Sequence, residues 1–239
     1  MTCLIYQTDS YLKEFQAVVT RIDSENNAVV LDITAFYPAG GGQPCDTGYL
    51  KWEDNAASVI KVKKAGDEVI HFLESTSTIP ALGVSVAGQI DWDLRYKLMR
   101  THSAMHVLCG VIFRDYGASV TGGDMDPLNG RMDFEFENLH KELVHEIEDA
   151  VNAEVRQNRP IRVAILPRDE AFQIPDLIRT KINLLPEGIS YVRTVEIVGL
   201  DLQADGGTHV NSTGEIGYIR IVDYKSKGKI NKRIYISLE

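Results

Sequence analysis

Two histidines, His102 and His106, stand four residues apart in a stretch whose apolar residues recur at helical spacing. At that separation both imidazoles leave the same side of a helix and can reach one ion. A second pair, Asp205 and His209, brackets Gly206-Gly207-Thr208. The glycines let the backbone turn sharply, and the pair offers one oxygen and one nitrogen donor. Together the four give three imidazoles and a carboxylate, a set that suits zinc, as a single ion, or another borderline divalent cation. If all four bind, the ion is fully coordinated and structural; if Asp205 swings away, a position opens for water or substrate. Ser103-Ala104-Met105 fill the first pair, so this is not an HExxH signature and no glutamate base is implied. Each pair also has an ordinary reading: polar groups at a core boundary, an Asx turn at Asp205, a strand-edge histidine at His209.

These residues need elements to hold them. Asp91 can cap a helix in which Leu94, Leu98, His102, Met105, Cys109 and Ile112 follow three- and four-residue steps. Gly117 and the Gly122-Gly123 pair lie beyond its expected end. A second helix is expected to start near Asn138, with Leu143, Ile147, Val151 and Val155 on one face and Pro160 after it. Residues 161–166, 191–198, 216–222 and 233–238 read as strands, and 170–184 as a helix-and-loop region interrupted by Pro175. Before residue 90 the rhythm is of short strands and turns: 15–22, a polar turn at 23–27, then 29–33, 57–62, 68–73 and 84–90. A small β-barrel or curled sheet over 1–90 fits this rhythm. The fold class is therefore α+β, with a layered α/β domain over 91–239 whose sheet is antiparallel or mixed.

The bulk numbers agree with a folded chain of one or two domains: 239 residues, 44% hydrophobic. No apolar run approaches the length of a membrane helix, and the first residues carry neither a basic region nor a long apolar stretch, so no secretion signal is expected. Cys3, Cys45 and Cys109 form no CxxC pair, which fits a reducing cytoplasm better than a disulfide framework. A net charge of -9 argues against a general nucleic-acid coat, yet a local basic face can still grip phosphates. The last 20 residues carry six basic side chains, among them Lys225, Lys227, Lys229, Lys232 and Arg233, against two acidic ones. These are candidates for an RNA-binding surface, or a solvated charged rim.

Three separated blocks resemble the stand-alone alanyl-tRNA editing proteins, the AlaX family, related to the editing domain of alanyl-tRNA synthetase. They are Thr34-Ala35-Phe36-Tyr37-Pro38-Ala39-Gly40-Gly41-Gly42-Gln43-Pro44 with Asp46 and Gly48; Arg100-Thr101-His102-Ser103-Ala104-Met105-His106-Val107-Leu108; and Gly206-Gly207-Thr208-His209-Val210 running on to Ser226-Lys227-Gly228-Lys229. Arg131-Met132-Asp133-Phe134 adds a smaller match to an RxDF-like segment. The length resembles the medium-sized members, which implies a small N-terminal β-barrel followed by a two-layer α/β editing domain with a mostly antiparallel sheet. One departure stands out: the family's third motif is CxxxH, and here Asp205 replaces the cysteine, a hard oxygen for a soft thiolate.

The resemblance implies hydrolysis of the ester joining serine, or also glycine, to the terminal adenosine of tRNA(Ala), with the acceptor end as main contact and no obligate protein partner. It implies catalytic or substrate roles for Thr34 and Gln43 beside the four ligands. A Thr34 hydroxyl can bond the serine side chain and not alanine; a buried polar group left unmatched costs roughly 1–3 kcal/mol, about 5- to 150-fold. Thr34 can equally be a strand residue. Gly40, Gly41 and Gly42 allow close backbone approach to the acylated nucleotide, or form a tight structural turn; the Gln43 amide can donate and accept. Arg131 could meet a phosphate and Asp133 orient a basic group, or the two could serve an internal salt bridge. The competing functions are a noncatalytic tRNA-binding protein with a structural metal, and a metal hydrolase of another ester.

Overall fold

The computed structural model describes the chain except residues 77, 137, 138, 181–184, 186 and 187. It divides into two compact units, Met1–Tyr96 and Lys97–Glu239.

The first unit holds strands β1 (Cys3–Leu4), β2 (Glu14–Asp23), β3 (Ala28–Leu31), β4 (Ile33–Thr34), β5 (Gly48–Trp52), β6 (Asn55–Ala65), β7 (Glu68–Leu73) and β8 (Ser85–Ile90). Six of them close into a barrel in the order β2-β3-β7-β6-β5-β8, while β1 runs parallel to β4. The alternation of the sequence explains the closure: Phe15, Ala17 and Val19 of β2 and Val69, His71 and Leu73 of β7 turn inward, as period-two residues must. They pack with Leu31, Phe36, Leu50, Trp52 and Val59 into one core. At Gly88 a Cβ would meet the Phe15 ring at 2.3 Å, so that ring claims the space. Strand β5 was not expected, because its Gly-Tyr-Leu-Lys-Trp run follows directly on a turn-rich segment.

That segment leaves β4 as a braced loop. Asp46 accepts from Tyr37 N (2.5 Å) and returns its own N–H to Tyr37 O (3.0 Å). Gly40 and Gln43 exchange backbone hydrogen bonds, and Tyr37 Oη donates to Gly40 O. Arg95, fully buried, grips the Asp46 carboxylate and donates to the carbonyls of Ser10 and Ala35.

Helix α1 (Trp92–Tyr116) starts at the Asp91 cap, which accepts from Leu94 N, and stops at Gly117 in the left-handed region (φ 64°). The second unit continues with β9 (Val120–Asp126), β10 (Asn129–Glu135), α2 (Lys141–Arg156), β11 (Ile161–Pro167), α3 (Arg168–Ala171), β12 (Tyr191–Ile197), β13 (Asp201–Ala204), β14 (Ile219–Ser226) and β15 (Asn231–Leu238). Two antiparallel sheets result, ordered β14-β15-β10-β9 and β11-β12-β13. The apolar stripe of α2, from Val144 through Val155, is buried, and Asn152 pairs with both backbone groups of Ile219 in β14. The expected start at Asn138 lies outside the described residues; the helix begins at Lys141, capped by His140. Residues 181–184 of the expected helix-and-loop region also lie outside them, and Ile216 ends a 3-10 turn rather than opening a strand.

Gly122 and Gly123, beyond the end of α1 as expected, lie within β9. The reason is packing: a Cβ at Gly123 or Gly130 would come within 3.2 or 3.0 Å of Met105, so the β9–β10 hairpin can lie close to α1 only where side chains are absent. Among the described residues no helix is long and apolar enough to cross a membrane.

Candidate metal centre

The two ligand pairs meet in the second unit. His102 and His106 project from α1, and Asp205 and His209 come from the loop after β13. Each offers a donor atom, and these atoms all lie within 4.8 Å of one another. His102 and His209 are stacked at 4.3 Å between centroids, with His106 edge-on to both. All three imidazoles turn Nε2 toward the Asp205 carboxylate: His102 and His106 face Oδ1 at 3.5 and 3.9 Å, and His209 faces Oδ2 at 3.0 Å. Zinc binds nitrogen and oxygen donors at about 2 Å, so modest side-chain movement brings this set onto one ion. The donors fit a divalent cation of the zinc type, which would be held by His102, His106, Asp205 and His209.

Backbone chemistry fixes Asp205. Its Oδ2 accepts from Gly207 N at 2.7 Å, and Arg193 lies at 3.5 Å while donating to the Asp205 carbonyl. On the far side of the histidines, Ser103 Oγ meets His209 Nδ1 at 3.1 Å and accepts from Val210 N, while His106 Nδ1 lies 3.3 Å from Asp201 Oδ2. Asp201 also accepts from Gln203 (2.6 Å) and Arg179 (3.2 Å).

The electrostatics follow. Burial holds His102 well below the usual imidazole value and pushes His209 down to about 4, with Asp205 only partly offsetting it. Both rings are thus neutral lone-pair donors at neutral pH. Burial opposes charge on His106 too, but the Asp201 hydrogen bond and the two carboxylates raise it overall. Burial likewise resists ionisation of Asp205, yet the surrounding histidines hold its carboxyl well below the usual range. Cys109 is buried, its thiol pushed up by burial, with Gln203 Nε2 on its sulfur; it lies outside the cluster.

The remaining residues singled out from sequence take varied positions. Thr34 is fully buried in the barrel unit, its hydroxyl 2.8 Å from His71 Nε2 and accepting from Phe36 N. Gly40 and Gly41 are exposed, Gly42 half-buried, and Gln43 buried. Asp133 is gripped at both oxygens by Arg233, at 2.6 and 2.7 Å, and Arg131 lies 3.3 Å from Asp124. Lys232 donates to the carbonyls of Gly228 and Lys229, and Lys225 pairs with Asp223. Lys227 and Lys229 are exposed. Sequence reasoning missed Asp201 and Gln203. Both lie in β13, two residues apart and so on one face of the strand.

Residues 5–94 match the family of tRNA synthetases class II (A), and residues 192–235 the threonyl and alanyl tRNA synthetase second additional domain. The alanyl-tRNA editing protein AlaX-M of Saccharolobus solfataricus is 40% identical over 241 residues, covering all of both chains. The chain belongs to the AlaX-M family. The AlaX-M protein of Methanosarcina acetivorans is 39% identical over 244 residues, covering 100% of this chain and 99% of its own. The alanine–tRNA ligase of Pyrobaculum aerophilum is 41% identical over 224 residues, which is 91% of this chain but 25% of the ligase. The chain thus matches a segment of a much larger ligase.

Proposed function

We propose that the chain is a trans-editing deacylase that hydrolyses the ester of mischarged Ser-tRNA(Ala), with Gly-tRNA(Ala) as a second substrate. The observation that carries the reading is the convergence of three Nε2 atoms on one half-buried carboxylate, in a chain of the AlaX-M family. Zinc is the proposed ion, the acceptor end of the tRNA the proposed contact, and the cytoplasm the proposed location.

The protein groups would contribute positioning and charge balance. Two carboxylates, Asp205 and Asp201, lie beside two guanidinium groups, Arg193 and Arg179, so the acidic side chains do not by themselves leave an excess of negative charge. A bound divalent cation supplies Lewis acidity for an ester carbonyl or a water. His102, His106, His209 and Asp205 would hold it, while the Gly207 N–H engages one oxygen of Asp205. In the barrel unit, the exposed Gly40 and Gly41 offer backbone for close approach of an acylated nucleotide. The Thr34 hydroxyl is turned to His71, so a direct bond to serine requires it to turn away; its simpler contribution to selectivity is to hold the strand end from which that loop departs. Lys227 and Lys229 are the best placed of the basic residues to meet phosphates, since Lys232 and Arg233 are engaged within the chain.

Four protein donors also suit a structural ion, and that feature favours the noncatalytic reading. The deciding experiment measures hydrolysis of Ser-, Gly- and Ala-tRNA(Ala) before and after metal removal and after zinc is restored. Ser-tRNA(Ala) hydrolysis should vanish with the metal and return with zinc, and His102→Ala or His209→Ala should abolish metal retention and lower the rate sharply. Tight tRNA binding with no metal-dependent hydrolysis would establish the noncatalytic protein instead.

A further inference from the structure

We propose that Asp201 is a positioning residue that presets His106 as a metal ligand; the inference rests on the metal-centre reading above and extends it to a residue outside the ligand set. The argument begins at the hydrogen atoms. An ionised carboxylate only accepts, so the 3.3 Å contact between Asp201 Oδ2 and His106 Nδ1 requires the proton to sit on Nδ1. In the neutral ring the Nε2 lone pair is then left facing Asp205, which is the form a cation needs.

His209 is held differently. Its Nδ1 partner is the Ser103 hydroxyl, at 3.1 Å, which can donate or accept. With His209 Nε2 3.0 Å from Asp205 Oδ2, Ser103 donates to Nδ1 and Nε2 keeps its proton. Ion binding demands the opposite tautomer, and Ser103 can serve it by turning its hydroxyl. The two outer partners are therefore unlike: Ser103 permits either tautomer of His209, whereas Asp201 permits one tautomer of His106.

Asp201 is itself fixed tightly enough to impose that choice. Its side chain is fully buried, Gln203 Nε2 donates to the same oxygen at 2.6 Å, and Arg179 Nε donates to the other at 3.2 Å. Its approach to the helix depends on Gly110, one turn beyond His106. A Cβ there would meet Leu200 Cγ at 2.9 Å and Asp201 Cβ at 3.0 Å. Glycine at this point of α1 lets the start of β13 come close enough for Asp201 to reach His106.

The test uses the full chain, with cobalt(II) as the probe in competition with a chelator, and long-range proton–nitrogen NMR of the metal-free protein to read the His106 tautomer. Asp201→Ala should weaken cobalt binding by roughly 10- to 100-fold and shift His106 away from the Nδ1-protonated form, with its circular dichroism unchanged. Asp201→Asn keeps the shape and one accepting oxygen but meets three donors with an amide, so its loss should be measurable and smaller. A residue with a purely structural role would lower the melting temperature and leave affinity and tautomer as they were. Wild-type affinity in folded Asp201→Ala overturns the proposal; should that variant not fold, wild-type affinity in Asp201→Asn does so. Neither readout involves tRNA. A chain that shows the expected cobalt and tautomer results yet cleaves no ester would refute the editing function and leave the role of Asp201 standing.

Discussion

Asp205 has two unlike oxygens. Oδ2 is occupied by the Gly207 N–H and His209, with Arg193 nearby, while Oδ1 faces His102 and His106. A thiolate has one donor atom and cannot serve both sets. Asp205→Cys should therefore still retain about one zinc per chain, since sulfur is a good zinc ligand, but release the hydrogen bond that anchors the 205–207 turn. Zinc stoichiometry together with exchange protection of the Gly207 amide would read this; loss of zinc from a folded variant would remove Asp205 from the ligand set. Much of this was legible in the sequence, because HxxxH on a helix and DxxxH around glycines each carry their geometry in their spacing. Asp201 was not, since its partner His106 is remote in sequence and an acid at the start of a strand carries no mark of what it faces. His71 was hidden similarly: a lone histidine in the alternating run Glu68–Leu73 reads as one more strand residue.

At the level of elements, His71 gives the barrel a pH dependence. Burial pushes its pKa from 6.5 to about 4, the carbonyls of Val29 and Val69 offsetting this only in part. The folded chain therefore binds this proton less readily than the unfolded chain. Above pH 6.5 both are neutral and nothing is lost; between 6.5 and about 4 the unfolded state gains protons first, and stability falls by roughly 3 kcal/mol in all, at 1.36 kcal/mol per pH unit. Denaturant unfolding of the wild type and His71→Phe over this range should show the slope in the former and its loss in the latter. An equal slope in both would place the titration elsewhere. The barrel strands were largely readable from alternation, and α1 from its period. The β9–β10 hairpin was not, because Gly122, Gly123 and Gly130 look like breakers until Met105 is seen to occupy the space beside Gly123 and Gly130.

For the whole molecule, a net charge of -9 sets a field unfavourable to a distant polyanion, so the proposed tRNA binding would draw on local cations. The ion also links to folding. A cation bound by the native chain and not by the unfolded one stabilises it by about 2.7 kcal/mol at a free concentration 100 times its dissociation constant. The melting transition of the metal-free chain should thus rise on adding zinc, and that of His102→Ala should not; an equal rise in both would show zinc acting away from this centre.

The ligand chemistry has a last consequence, for oxidative stress. Thiolate-ligated zinc is a target for peroxide, which converts sulfur to sulfenic acid or a disulfide and expels the ion. With Asp205 as the proposed fourth ligand and Cys109 buried, its proton held by that burial, the centre presents no thiolate to attack. The exposed thiol of the chain is Cys3, in the barrel unit. An oxidant dose that empties a cysteine-ligated site should leave this one loaded while modifying Cys3.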